Sequence, residues 1–316
     1  MAFGDEALSL RRVIVSAAAA ASLVAGVTDA RAQSAYGAPT AVREAVATSE
    51  APRELRQREL DGFVRRVTAV NNGQSLARWT QPFCPVVSGM TEAQGEYVLA
   101  RLFQVAKAAG APAIEDGQCQ ANVYIVATAD PRGLLKAWDK RAPQIFGAAT
   151  AEEARRFQDS PRPVRSWYTV RVDRPMTSAN APFEGGGPDG LDALPRNTGV
   201  SHHADDTRLH SNSPYALTSA IVVVDSGRVA GTRVGALADF IALAALAQLQ
   251  PDPDAGGAPS ILGLFSATKG SAPPDGLTAW DTAFLHALYH TSLEDLHQGT
   301  TIAIRMNEAL DAGGGH

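Results

Sequence analysis

The sequence predicts an α/β protein of the α+β kind, a mixed sheet packed with helices and carrying one long irregular loop. Three observations predict it. Short apolar segments with strand-like alternation, or with none, are interleaved with segments of helical period. The order strand, helix, strand between residues 79 and 128 implies a parallel pair joined by a crossover. Residues 174–214 then break the pattern with Gly185-Gly186-Gly187, several prolines and little apolar periodicity. About forty such residues are too many for an ordinary connection. They read as a flap over a site or as a solvent-exposed insertion.

Each element has its own signal. From Pro52, Leu55, Leu60, Phe63, Val64 and Val67 recur at helical spacing, and Asn71-Asn72-Gly73 ends that helix. Trp79 to Met90 is extended. Thr91 with Gln94 three residues on forms a capping box. Val98, Leu102, Val105 and Ala109 form the buried stripe of the helix it opens, and Gly110 closes it. Asn122 to Thr128 reads as a strand. Asp130-Pro131 pairs an N-cap with proline at the first helical position, opening a helix through Leu134, Leu135 and Trp138. Thr150 to Phe157 is a short helix, and Ser166 to Asp173 alternates as a half-buried strand. The run Ala220 to Asp225 is continuously apolar, which implies burial on both faces. Gly235 to Leu249 is a helix with only Asp239 and Gln248 polar, hence central and buried. Thr278 caps a last helix through Trp280, Phe284, Leu285 and Leu288, and the chain frays at Gly313-Gly314-Gly315.

Residues 1–32 read as a cleaved export signal. Arg11-Arg12 supply positive charge, Val13 to Val27 is apolar, and Ala30-Arg31-Ala32 offers small residues to a signal peptidase, with cleavage between Ala32 and Gln33. The apolar run is shorter than the ~20 residues that span a bilayer as a helix. The Arg pair leaves both the general and the twin-arginine routes open. Residues 33–52, rich in Ala, Pro and Ser, are expected to be a disordered lead-in. Residues 53–312 then form a single domain, with a sub-boundary at the 174–214 loop. The expected location is periplasmic or secreted.

Composition narrows the function. The net charge is −5, and the signal carries three acidic and three basic residues, so its removal changes nothing. A mildly acidic chain without a basic run argues against nucleic acid as the partner. In an exported chain Cys84 and Cys119 are most simply a disulfide, with two buried thiols as the alternative.

Three clusters invite a chemical reading. His286 and His290 stand at i and i+4 on one helical face, the spacing of a zinc-peptidase helix, with His297 as a third ligand to consider. That chemistry needs a glutamate beside the first histidine, and Ala287 stands there. His202, His203, Asp205, Asp206 and His210 have suitable ligand types, but their spacing matches no closed site. No G-x-S-x-G elbow and no phosphate loop is present. The expectation is no cofactor and no resident metal, His286 and His290 being the candidates. Asp239 is costly on a buried helix unless paired. Arg228 or Arg233 just upstream could supply the charge, or the carboxylate faces a cleft.

The segment from Ile221-Val-Val-Val-Asp225 through helix 235–249, Ser260-Ile261-Leu262 and Leu277-Thr278-x-Trp280-Asp281 resembles the second half of a zincin-like (metzincin-type) fold. With Phe83-Cys84-Pro85, Asn122-Val-Tyr-Ile-Val and Trp167-Tyr168, the chain also resembles an uncharacterised family of exported Gram-negative proteins. The resemblance covers most of residues 75–292. It implies that Ile241, Ala242 and Ala245 stand where active peptidases carry His, Glu and His. None of the three binds zinc or moves a proton. The expected function is therefore a non-catalytic protein that binds an envelope protein or ligand through the former cleft. A metal-dependent hydrolase using His286 and His290, and a purely structural envelope protein, are the alternatives.

Overall fold

The computed structural model describes residues 53–69, 75–114, 119–147, 149–172, 214–266 and 272–313. The export signal, the lead-in, nearly all of segment 174–214 and the cluster His202, His203, Asp205, Asp206 and His210 lie outside the described residues.

Four strands form one mixed sheet in the order β1 (Pro85–Ser88), β2 (Val123–Thr128), β4 (Tyr215–Asp225), β3 (Val164–Val172). β1 runs parallel to β2 and β2 parallel to β4, with Val86 opposite Tyr124 and Val126 opposite Val223. β3 is antiparallel to β4, with Trp167 opposite Ile221 and a register shift between Thr169 and Val170. The parallel β1–β2 pair brings the cysteines together. Cys84 and Cys119 are disulfide-bonded with Cα atoms 6.0 Å apart. The carbonyl of Cys84 accepts from the Val123 N–H at 3.1 Å, and its own N–H donates to the Asn122 side chain at 2.7 Å.

β4 explains the two layers around the sheet. It is apolar and buried almost throughout, so both faces need cover. Ala220, Val222 and Val224 face the larger core, built with α1 (Arg53–Val67), α2 (Glu92–Ala109), α5 (Val234–Leu246), α6 (Ala279–His290) and α7 (Gln298–Gly313). Ile221 and Val223 face a smaller core with α3 (Pro131–Arg141), a 3-10 turn at Pro143–Phe146 and α4 (Ala151–Asp159). Phe146 and Phe157 pack on Trp167 there, with ring centroids 5.6 and 5.1 Å away.

Helix starts follow local chemistry. Thr91, Thr150 and Thr278 each accept from the N–H three residues on, and the third-residue side chains of Gln94, Glu153 and Asp281 return the bond. Asp130 caps α3 with proline at its start. Gly110 ends α2 at φ +80°, a left-handed conformation that glycine adopts without cost.

The structure corrects the reading at three places. β4 begins at Tyr215, five residues before the continuous apolar run. α5 ends at Leu246, and Leu249 instead bridges to Thr68. The Thr278-capped helix is not the last, because α7 follows it. The run Thr300-Thr301-Ile302 disfavours a helix locally. Packing overrides that preference: Ile302, Ala303 and Met306 are buried against α1 and α6. Arg56 donates to Asn307 at 2.6 Å, and Arg53 reaches Asp311 at 3.3 Å.

Candidate functional site

Beyond the carboxyl end of β4 the chain turns sharply before entering α5. Asp225 Oδ1 accepts from the N–H groups of Gly227 and Arg228, both at 3.1 Å, and its other oxygen pairs with Arg228 at 3.3 Å. Gly231 at φ +83° completes the turn. Arg233 then stands at the N-cap of α5 without offering a side-chain cap. The turn Ala230–Arg233, with Ala236, Leu264, Pro273 and Pro274, encloses an open cavity of about 310 Å³. That volume lies at the lower end of the range of small-ligand pockets.

Two exposed side chains stand near this cavity without lining it. Val234 opens α5 and is 37% exposed; Tyr97 on α2 is 40% exposed. The Tyr97 hydroxyl lies over Gly235, where a Cβ would be 3.3 Å from it. One turn along α2, Arg101 forms a two-point ion pair with Asp239 of α5, the second contact being 3.2 Å. Asp239 also accepts from the Leu277 N–H at 2.9 Å. Neither of the arginines expected from the sequence reaches it, since Arg228 holds Asp225 and Arg233 holds Asp275. The buried carboxylate is thus fully engaged in binding α2, α5 and the segment before α6 together. Among the described residues, the walls of the cavity carry no thiol, imidazole or carboxylate. They offer polar and apolar surface in about equal measure.

His286 and His290 sit on the last turns of α6, both exposed. Their rings stack with centroids 3.9 Å apart and planes 15° apart. The Nδ1–H of His290 donates to the carbonyl of His286 at 2.8 Å. Burial, then the charges of His290 and Arg305, holds the His286 imidazole below its usual range. His297 lies apart, its N–H donating to Asp295 at 2.7 Å in the turn before α7. Among the described residues no group of three or more His, Cys, Asp or Glu is placed to hold a metal.

Ile241, Ala242 and Ala245 are completely buried inside the larger core. The Ser260-Ile261-Leu262 turn is a helix clamp. Ser260 donates its hydroxyl to Asp281 at 2.6 Å and Ile261 its N–H at 2.7 Å, while Asp281 also accepts from the Thr278 N–H at 2.9 Å. Burial pushes the Asp281 carboxyl above its ordinary range.

Reading the sequence alone missed Tyr97, Val234 and Arg101. A signal did exist for the first. Tyr97 lies beside the Val98–Leu102–Val105 stripe of α2, off its buried face, and a large aromatic there is an exposed surface group. Comparison of the chain with known protein families, with curated proteins and with solved structures returns no match.

Proposed function

We propose that the mature chain is an exported, non-catalytic protein that binds a partner in the cell envelope, at the cavity beside the start of α5. The observation that carries this reading is the pairing of an open cavity of about 310 Å³ with two exposed side chains, Tyr97 and Val234, near it. Exposed aromatic and aliphatic groups beside a concave surface of mixed polarity are a composition that binding sites share. The Arg233–Asp275 ion pair at the same place supplies a polar rim. Export is supported by the Arg11-Arg12 to Ala32 pattern, by the Cys84–Cys119 disulfide and by the finding that no helix among the described residues is long and apolar enough to cross a membrane.

Photo-crosslinking tests both parts. A photoreactive residue replaces Val234 in cells that express the full chain, and another replaces the exposed Arg155 on α4 as a control. The expected result is processing at Ala32 and a discrete adduct from position 234 that the control lacks. In a Tyr97→Ala background that adduct falls at least about tenfold, as for loss of an aromatic anchor. Equal labelling from both positions, or none, overturns the binding reading and favours a purely structural role. Retention of the chain in the cytoplasm overturns export.

A further inference from the structure

We propose that the paired imidazoles of His286 and His290 form a binding site for one late first-row divalent cation, Cu(II) in preference to Ni(II) or Zn(II), separate from the cavity beside α5. Position is the first ground. The two residues are one helical turn apart, both rings are exposed, and the rings lie within 15° of parallel at 3.9 Å. The rings therefore lie face to face, with the Cε1–Nε2 edge of His290 beside Gly110. With His290 held in place, rotation of the His286 ring about its own bond would bring one nitrogen of each ring toward a shared ion at the usual ~2.0–2.1 Å.

Orientation of the second ring is the other ground. A carbonyl can only accept, so the 2.8 Å contact from His290 Nδ1 to the His286 carbonyl fixes the proton on Nδ1. The lone pair of His290 is thereby assigned to Nε2. Metal-binding histidines are held in this way, by a second hydrogen bond to a backbone carbonyl. Gly110 lies beside that edge and its missing side chain leaves room there, since a Cβ would stand 2.9 Å from Cε1 and 3.4 Å from Nε2. Its left-handed backbone is a further reason for glycine.

The ligand set decides the cation class. Two neutral imidazoles select Cu, Ni and Zn over Ca and Mg, and the Irving–Williams order places copper first. Arg305 of α7 faces His286 and sets an unfavourable charge beside the ion. Among the described residues no carboxylate joins the pair to complete a cluster. Water completes the coordination sphere.

The test is titration of the tag-free mature chain with Cu(II), followed by calorimetry and by electron paramagnetic resonance. The parent is expected to bind one equivalent at this site with the spectral signature of two imidazole nitrogens. His286→Gln and His290→Gln, each checked for unchanged thermal unfolding, are expected to weaken binding at least about tenfold and to lose that signature. A His202→Gln/His203→Gln/His210→Gln chain is expected to keep it. The proposal is overturned if the parent binds no copper, if either single variant binds as the parent does, or if the triple variant alone loses the site.

Discussion

Asp281 shows what one buried side chain can hold. It accepts from Ser260, Ile261 and Thr278, so it starts α6 and anchors the 259–262 turn at once. Asp281→Ala leaves the buried Ile261 N–H and the partly buried Thr278 N–H without that acceptor and is expected to cost about 2–4 kcal/mol in urea unfolding. Asp281→Asn keeps an acceptor toward Ile261 and Thr278 and presents an amide to Ser260, so it is expected to cost under about 1 kcal/mol. The two variants also separate charge from hydrogen bonding. With the folded carboxyl raised above 3.8, its contribution is complete below that value and falls as pH rises through the folded value. The stability of the parent relative to Asp281→Asn should therefore decline on going from pH 3.5 to 7; a flat difference contradicts the shift. Gly110 offers a second test at this scale. Gly110→Ala meets both a φ of +80° and the His290 ring, and a loss of about 1–2 kcal/mol is expected. A double-mutant cycle with His290→Ala should recover the steric part and leave the backbone part.

α5 poses the problem of a helix whose end is buried. Its last four carbonyls need donors, and packing excludes water. Leu243 receives the Ala247 N–H at 3.1 Å. The other three are closed by aromatic side chains from three separate places. Tyr168 of β3 donates to Ala244 at 2.7 Å, Trp79 to Ala245 at 2.8 Å, and Tyr289 of α6 to Leu246 at 2.7 Å. Burial raises both phenols, so they remain protonated donors over the ordinary pH range. Tyr289→Phe keeps the ring and orphans one carbonyl, at an expected cost of about 1–3 kcal/mol by chemical denaturation; an effect near zero would mean that Leu246 finds another donor. The beginnings of helices were legible because a cap is read within three residues, as at Thr91 and Thr278. The end of α5 was not, since its donors lie up to 166 residues away. α7 was missed for a related reason: its β-branched start speaks against a helix, and only the α1 and α6 surfaces it covers speak for one.

Across the whole molecule, one sheet separates two cores, and the disulfide ties the start of β1 to the approach of β2. Closing a loop with a sequence separation of 35 is worth about 3–4 kcal/mol on the chain-entropy account. Cys84→Ser/Cys119→Ser is expected to lose that much in guanidinium unfolding with a similar slope. A loss below about 1 kcal/mol would mean that the unfolded chain is already restricted there. The larger core contains the whole inner surface of α5, including Ile241, Ala242 and Ala245. Ile241, Ala242 and Ala245, at the positions the resemblance compares with His, Glu and His, are thus core residues. The open cavity lies instead one to two turns earlier on the same helix, at Arg233 and Ala236.

By itself the sequence determined what short range can encode. The helix starts, the strand buried on both faces, the α+β class and the cysteine pair all follow from residue types within a few positions or from one pairing of strands. Asp239 marks the boundary. Its burial was evident from the apolar helix around it, but its partner was not. Arg101 is 138 residues away on α2 and meets it only because α2 and α5 pack side by side over the sheet. The same packing sets Tyr97 beside Gly235. Such contacts depend on how the helices stack, and that depends on the summed burial of both cores rather than on any local run of residues.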